Sequence, residues 1–166
     1  MRSIGIRVEP KQIHYCILNK NEKNDLDFIV ETLKFPIALD NDIPRKLSFI
    51  RTTIFSIICE YDLHYAGLRT AEGNAQTSNA FRNNVEGVIQ ELFSDSTIID
   101  YFAGTLTSMA ARLNKTNTEL KDCVKGKDNT FNIDKWGDLN DRKRESVLAA
   151  LAAINYTLKD EGVKND

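Results

Sequence analysis

The 166-residue sequence has little with which to staple itself or ligate metal. Its three cysteines, Cys16, Cys59 and Cys123, are odd in number and far apart, with no CxxC and no Cys/His pairing. That pattern argues against a zinc site and a disulfide framework, and it predicts three reduced, mostly buried thiols. Both histidines, His14 and His64, fall within strand patterns and lack ligand partners at metal spacing. They read as packed or edge side chains. No apolar run approaches the roughly 18 residues of a membrane span. The opening MRSIGIRVEP reaches Arg7, Glu9 and Pro10 before any stretch long enough for a signal peptide, so a soluble, cytoplasmic chain is expected. Neither sign of charge dominates: 22 Lys and Arg face 24 Asp and Glu. This excludes a uniformly basic nucleic-acid binder but leaves room for a local basic groove. G-x-S-x-G, P-loop and G-x-G-x-x-G motifs are all missing.

What the chain does have is clear periodicity. Residues 3–9 and 12–18 are short β-branched and aromatic runs split by Pro10-Lys11, and 25–35 continues them, which predicts a three-stranded meander. Ile43, Leu47, Ile50, Ile54, Ile57 and Ile58 then recur at steps of three and four, the mark of a helix started by Asp42 and Pro44. A strand at 64–70, a helix from Ala75 to Phe93, a strand at 96–101 and a helix around Leu106–Leu113 follow. Residues 114–138 are polar, with a helical turn near 116–123 and a loop anchored by Trp136, which is expected to cluster with Phe131 and Tyr101. A last helix runs from about 140 to 158, capped by Asn140. The order predicts an α/β fold: a mixed five-stranded sheet with helices on both faces and the first strand central, beside the fourth. One domain is expected over 1–158, with 159–166 a frayed tail.

Several stretches resemble the RuvC-like Holliday-junction resolvase family, of RNase H-like fold. Gly5-Ile6-Arg7-Val8-Glu9-Pro10 is similar to that family's Gly-Ile-Asp-Pro-Gly start. Asn74-Ala75, Ser78 and Gly87-Val88 resemble its Asn-Ala-x-Ser…Gly-Val helix, and Asp100-Tyr101 its Glu-Tyr at the end of the fifth strand. The run from Glu145 to Ile154 resembles its final acidic, alanine-rich helix. The resemblance implies four acidic positions around two divalent cations, Mg2+ or Mn2+. Here those positions read Arg7, Arg69, Glu145 and Leu148. Guanidinium groups only donate and cannot coordinate a metal. The usual two-metal site is therefore expected to be lost, leaving a catalytically inactive domain with no cofactor that acts by binding.

Three readings of the altered site follow. Arg7 and Arg69 are neutralised internally by Glu145 and Asp141 in a buried ion-pair cluster, or the two arginines hold a phosphate of DNA or RNA. Arg112, Lys115, Lys121, Lys125, Lys127, Arg142, Lys143 and Arg144 supply a basic surround for the second. The third is a displaced metal-dependent nuclease site built from Glu9, Glu72, Asp141 and Glu145. A protein partner or a homodimer, the latter through residues around Phe81, Val85 and Val88, is the expected assembly, with no membrane contact.

Overall fold

Every residue of the first strand except Arg2 is buried, which places that strand at the centre of a sheet covered on both faces. In the computed structural model, which describes residues 1–72 and 79–156, five strands pair in the order β3-β2-β1-β4-β5. β1 (Arg2–Val8), β2 (Gln12–Lys20) and β3 (Leu26–Lys34) form the antiparallel meander. β4 (Tyr65–Arg69) and β5 (Asp100–Gly104) join it in parallel.

Alternation along β1 sorts its residues between two cores. Ile4, Ile6 and Val8 face α1 (Ile43–Glu60) and α2 (Ala80–Ser94). Ser3, Gly5 and Arg7 face α5 (Asp141–Ala153), which shares its side of the sheet with α3 (Leu106–Arg112) and α4 (Asn117–Val124). Each of the five α-helices among the described residues begins on a side-chain cap: Asp42, Asn79, Thr105, Thr116 and Asn140 each accept a backbone N–H of the first turn. Thr116 and Glu119 complete a capping box.

α5 lies unusually close to the sheet. Ser3 donates its hydroxyl to the Ala150 carbonyl at 2.9 Å. A Cβ on Gly5 would stand 1.9 Å from the Ser146 carbonyl oxygen, and one on Gly67 2.0 Å from that of Ala149. Two strand glycines and the alanine-rich helix thus remove the side chains that would hold the layers apart. This seat delivers the start of α5 to the carboxyl ends of β1 and β4.

Several expectations need correction. β5 begins at Asp100, near where the sequence suggests it should end, because Ser96–Ile99 are spent on a turn. The Ser96 hydroxyl donates to the Phe93 carbonyl and that of Thr97 to Leu63. Tyr101 is 51% exposed and packs near Phe93, away from Phe131 and Trp136, which belong to the α5-side core. The thiols are mostly buried as expected, Cys16 and Cys123 inside and Cys59 exposed. Of Phe81, Val85 and Val88, Val85 is fully buried in the α1-side core, while Phe81, edge-on to Phe35, and Val88 are partly buried. The predicted helix start at Ala75 and Ser78, Asn74 of the resemblance, Leu158 and the 159–166 tail lie outside the described residues.

Candidate functional site

The parallel register of β1 and β4 sets Arg7 directly beside Arg69. The first turns of α5 lay Glu145 across both. Arg7 Nε pairs with Glu145 Oε2, and Arg69 Nη2 stands 3.8 Å from Glu145 Oε1. All three residues are only 4% exposed. Arg69 Nη2 also meets Glu72 Oε1 at 2.7 Å, and Arg7 Nη1 donates to the Arg69 carbonyl at 3.2 Å. Arg142 bridges Glu145 at 3.3 Å and Glu9 at 3.6 Å, while Arg82 pairs with Glu86 at 3.0 Å. Glu145 thus gathers Arg7, Arg69 and Arg142, with Glu72 and Glu9 as outer partners of the last two, and Arg82–Glu86 forms a separate pair.

Burial pushes Arg7 down to about 10; Glu145 opposes this, and the cationic neighbours Arg82, Arg69 and Arg142 add to it. The charge is costly where it sits, and Glu145 is what makes it tolerable.

Glu9 closes the opposite rim. Its Oε2 lies 2.9 Å from His14 Nε2 and accepts from Gln12 Nε2 at 2.8 Å, and His14 Nδ1 meets Thr32 Oγ1 at 2.8 Å. Partial burial alone would raise the Glu9 carboxyl, but the bonds from Gln12 and His14 hold it below the usual carboxylate range. A depressed carboxylate stabilises the fold above its unfolded value and loses that contribution as pH falls through the folded one. The stability advantage of the native chain over Glu9→Gln is accordingly expected to vanish in acid, below the ordinary carboxylate range. Parallel urea melts across that range check it; a difference independent of pH would exclude the role.

The sequence-selected residues separate into two groups. Arg7, Arg69 and Glu145 converge, with Glu72 and Glu9 at the rim. Asp141 does not join them: its side chain is 40% exposed and bound to Lys125 at 2.7 Å and Arg144 at 3.4 Å. It sits one turn before Glu145, beyond the end of the strands, where α4 rather than the sheet is within reach. Arg7 and Arg69 turn their guanidinium groups to Glu145, Glu72 and backbone carbonyls, not to solvent. A two-cation centre does not fit these donors. Glu9, Glu72, Asp141 and Glu145 are each engaged by an arginine or lysine, and Leu148 is buried core. Among the described residues, no group of three or more His, Cys, Asp or Glu side chains is placed to hold a metal ion.

The basic surround also divides. Arg144 is 7% exposed and caps neighbouring turns, donating to the carbonyls of Trp136 at 3.1 Å and Val124 at 3.2 Å. Arg112 donates to the Ala152 carbonyl at 3.0 Å and lies over the Phe102 ring. Both hold the structure together. Lys121, Lys125, Lys127 and Arg142 instead line a groove of about 530 Å3 between α4 and α5, with Glu145 at its floor. Arg82 and Glu86 were missed by the sequence reading although their i, i+4 spacing was visible; nothing linear ties that pair to β1.

This architecture is that of the RuvC-like Holliday-junction resolvases, an open mixed RNase H-like sheet. Thermus thermophilus RuvC superposes with a TM-score of 0.67 at 11% identity, with 94% of each chain covered. The T. thermophilus RuvC structure in complex with Holliday junction substrate gives 0.66, again at 11% identity and 94% of each chain. The yeast mitochondrial Holliday junction resolvase Ydc2 gives 0.56 at 15% identity, over 93% of this chain and 78% of that one. No family model matches the sequence, and no curated protein does. At these identities the likeness speaks for the fold alone. Among the described residues, no helix is long and apolar enough to cross a membrane.

Proposed function

We propose that this chain is a RuvC-like domain that binds nucleic acid without cutting it. The carrying observation is the buried Arg7–Glu145–Arg69 bridge, which fills with cations the place where the fold's metal chemistry would need carboxylates. Two guanidinium groups repel a divalent ion and contribute no lone pair to it. The groove beside the bridge supports the binding half of the reading: Lys121, Lys125, Lys127 and Arg142 face one channel, and a RuvC of this fold has been solved with Holliday junction substrate. Asp122 and Asp141 in the same groove temper its charge, so affinity is expected to be modest and steeply salt-dependent.

A labelled four-way junction and a matched linear duplex test this with Mg2+ or Mn2+ present. The expected result is a mobility shift at low salt that weakens as salt rises, with intact strands throughout. Changing Lys121, Lys125 and Lys127 to alanine together should abolish the shift at only a small cost in melting temperature, since these exposed side chains give up no more than the surface pairs Lys125–Asp141 and Lys127–Asp122. Metal-dependent strand cleavage would overturn the reading in favour of a nuclease with displaced carboxylates, and absence of any shift at low salt would remove nucleic acid as ligand.

A further inference from the structure

We propose that the free edge of β3 accepts a basic, extended peptide of a partner protein, which pairs with it as a further strand of the sheet. β3 stands last in the strand order, and only β2 pairs with it. The bonds at the two ends of that ladder fix its phase. Phe35 donates its backbone N–H to the Lys11 carbonyl at 3.0 Å, and Asn21 donates to that of Asp25 at 3.1 Å. In an antiparallel pair, residues that exchange bonds alternate with residues that do not. Asp27, Ile29, Glu31 and Leu33 therefore commit their main-chain groups to β2, whereas Leu26, Phe28, Val30, Thr32 and Lys34 turn theirs to the open edge. Among the described residues, no other group takes up those outward N–H and C=O groups. Sheet edges are ordinarily blunted by a proline, an inward charge or a bulge. None of these stands at the middle of β3, where Phe28-Ile29-Val30 pairs with β2 without interruption and Ile29 is 44% exposed.

What lies beside the added strand decides its chemistry. The side chains of Leu26, Phe28 and Val30 lean to the α5 side of the sheet. There they and the segment Phe131–Leu139 bound two adjoining hollows of about 350 and 410 Å3, which share Leu26, Phe28 and Asp134. Alternate residues of the incoming strand drop into these hollows, so apolar side chains are called for at every second position. The rim is acidic. Asp25, Asp27, Asp134 and Asp138 are all exposed, and Lys135 is the one cation that lines either hollow. None of the four carboxylates is paired with a lysine or arginine of the described residues, whereas Glu9, Glu72 and Glu145 all are. Lysine or arginine between the apolar positions of the guest meets them, and an acidic guest is repelled. Main-chain bonds then give affinity and the hollows give selection, as in other cases of strand addition. The hollows share no residue with the groove between α4 and α5, so the edge works whether or not the domain binds nucleic acid.

A display library of random peptides, matched to the 9 residues of β3 and selected against the full chain, tests this. Enriched sequences should alternate β-branched or aromatic residues with lysine or arginine. The best of them, made synthetically, should slow hydrogen exchange at the Phe28 and Val30 amides. Methylating its alternate backbone nitrogens should weaken binding more than about tenfold, because each methyl group removes a ladder hydrogen bond. Val30→Pro deletes an outward N–H and leaves the bonds to β2 intact, so it should abolish binding in a chain that still folds. Glu31→Pro deletes an N–H that β2 uses and should lower the melting temperature instead. Asp134→Lys and Asp138→Lys together, both on the surface, should weaken binding about tenfold at low salt. A library that yields no binder, binders that are acidic or that leave the Phe28 and Val30 amides exchanging freely, or binding undiminished by Val30→Pro or by the paired aspartate changes would each overturn the proposal. So would sedimentation showing the edge already occupied by a second copy of this chain.

Discussion

Glu145→Ala is expected to cost about 3–5 kcal/mol and lower the melting temperature by roughly 10 °C. The substitution removes the buried carboxylate that meets both Arg7 and Arg69 and leaves two cations side by side behind it. Two like unit charges about 4 Å apart repel by about 4 kcal/mol in an effective dielectric near 20, which sets the scale of the penalty. Arg7→Leu should cost less than Glu145→Ala, because Glu145 keeps Arg69 and Arg142 as partners. The Arg7→Leu, Glu145→Leu double variant should be more stable than the sum of its singles, since removing both charges leaves an apolar contact in their place. A melting temperature within a degree of the native chain would show that the bridge does not hold the two strands and α5 together.

The meeting of Arg7 with Arg69 was readable because it depends only on strand register. Arg7 and Arg69 sit at matching positions of two runs whose parallel pairing follows from element order, and Glu145 is one helix start away. Asp141 shows where such reading stops. Helical spacing puts it on the same side as Glu145, yet the strands end before reaching it, and Lys125 from α4 takes it instead. That depends on where two elements far apart in sequence come to rest. Arg144 makes the same point: within the run Arg142-Lys143-Arg144 nothing distinguishes the residue that turns inward to the carbonyls of Trp136 and Val124. For β5, Ser96-Thr97-Ile98-Ile99 has strand composition, but its hydroxyls bond to main-chain carbonyls and turn the chain before pairing begins. Apolar period carried the helices and the meander; side-chain-to-backbone bonds and helix ends carried the departures.

Gly67→Ala is expected to be the more damaging change, despite adding a single methyl group. Its Cβ would lie 2.0 Å from the Ala149 carbonyl oxygen and 2.7 Å from the carbonyl carbon, and Gly5→Ala would meet the Ala150 amide nitrogen at 2.3 Å. These obstacles are main chain in the middle of a helix, so no rotamer change relieves them. To recover ordinary contact α5 would have to lift from the sheet by more than ~1 Å along its length, beyond what a close-packed interior absorbs. That movement breaks the Ser3–Ala150 hydrogen bond and withdraws Glu145 from Arg7 and Arg69, so the packing and ion-pair penalties arrive together. Either variant should yield little folded chain, with a loss above about 4 kcal/mol where any can be measured. Gly87→Ala is the matched control. It sits on the exposed side of α2 with nothing within 4 Å of an added Cβ, and should stabilise by about 0.5–1 kcal/mol through helix propensity alone. Because the clash at Gly67 is with the Ala149 backbone, Ala149→Gly should fail to rescue Gly67→Ala. Rescue, or a Gly67→Ala chain melting with the native one, would mean that α5 rides higher on the sheet and that Glu145 does not reach the two arginines.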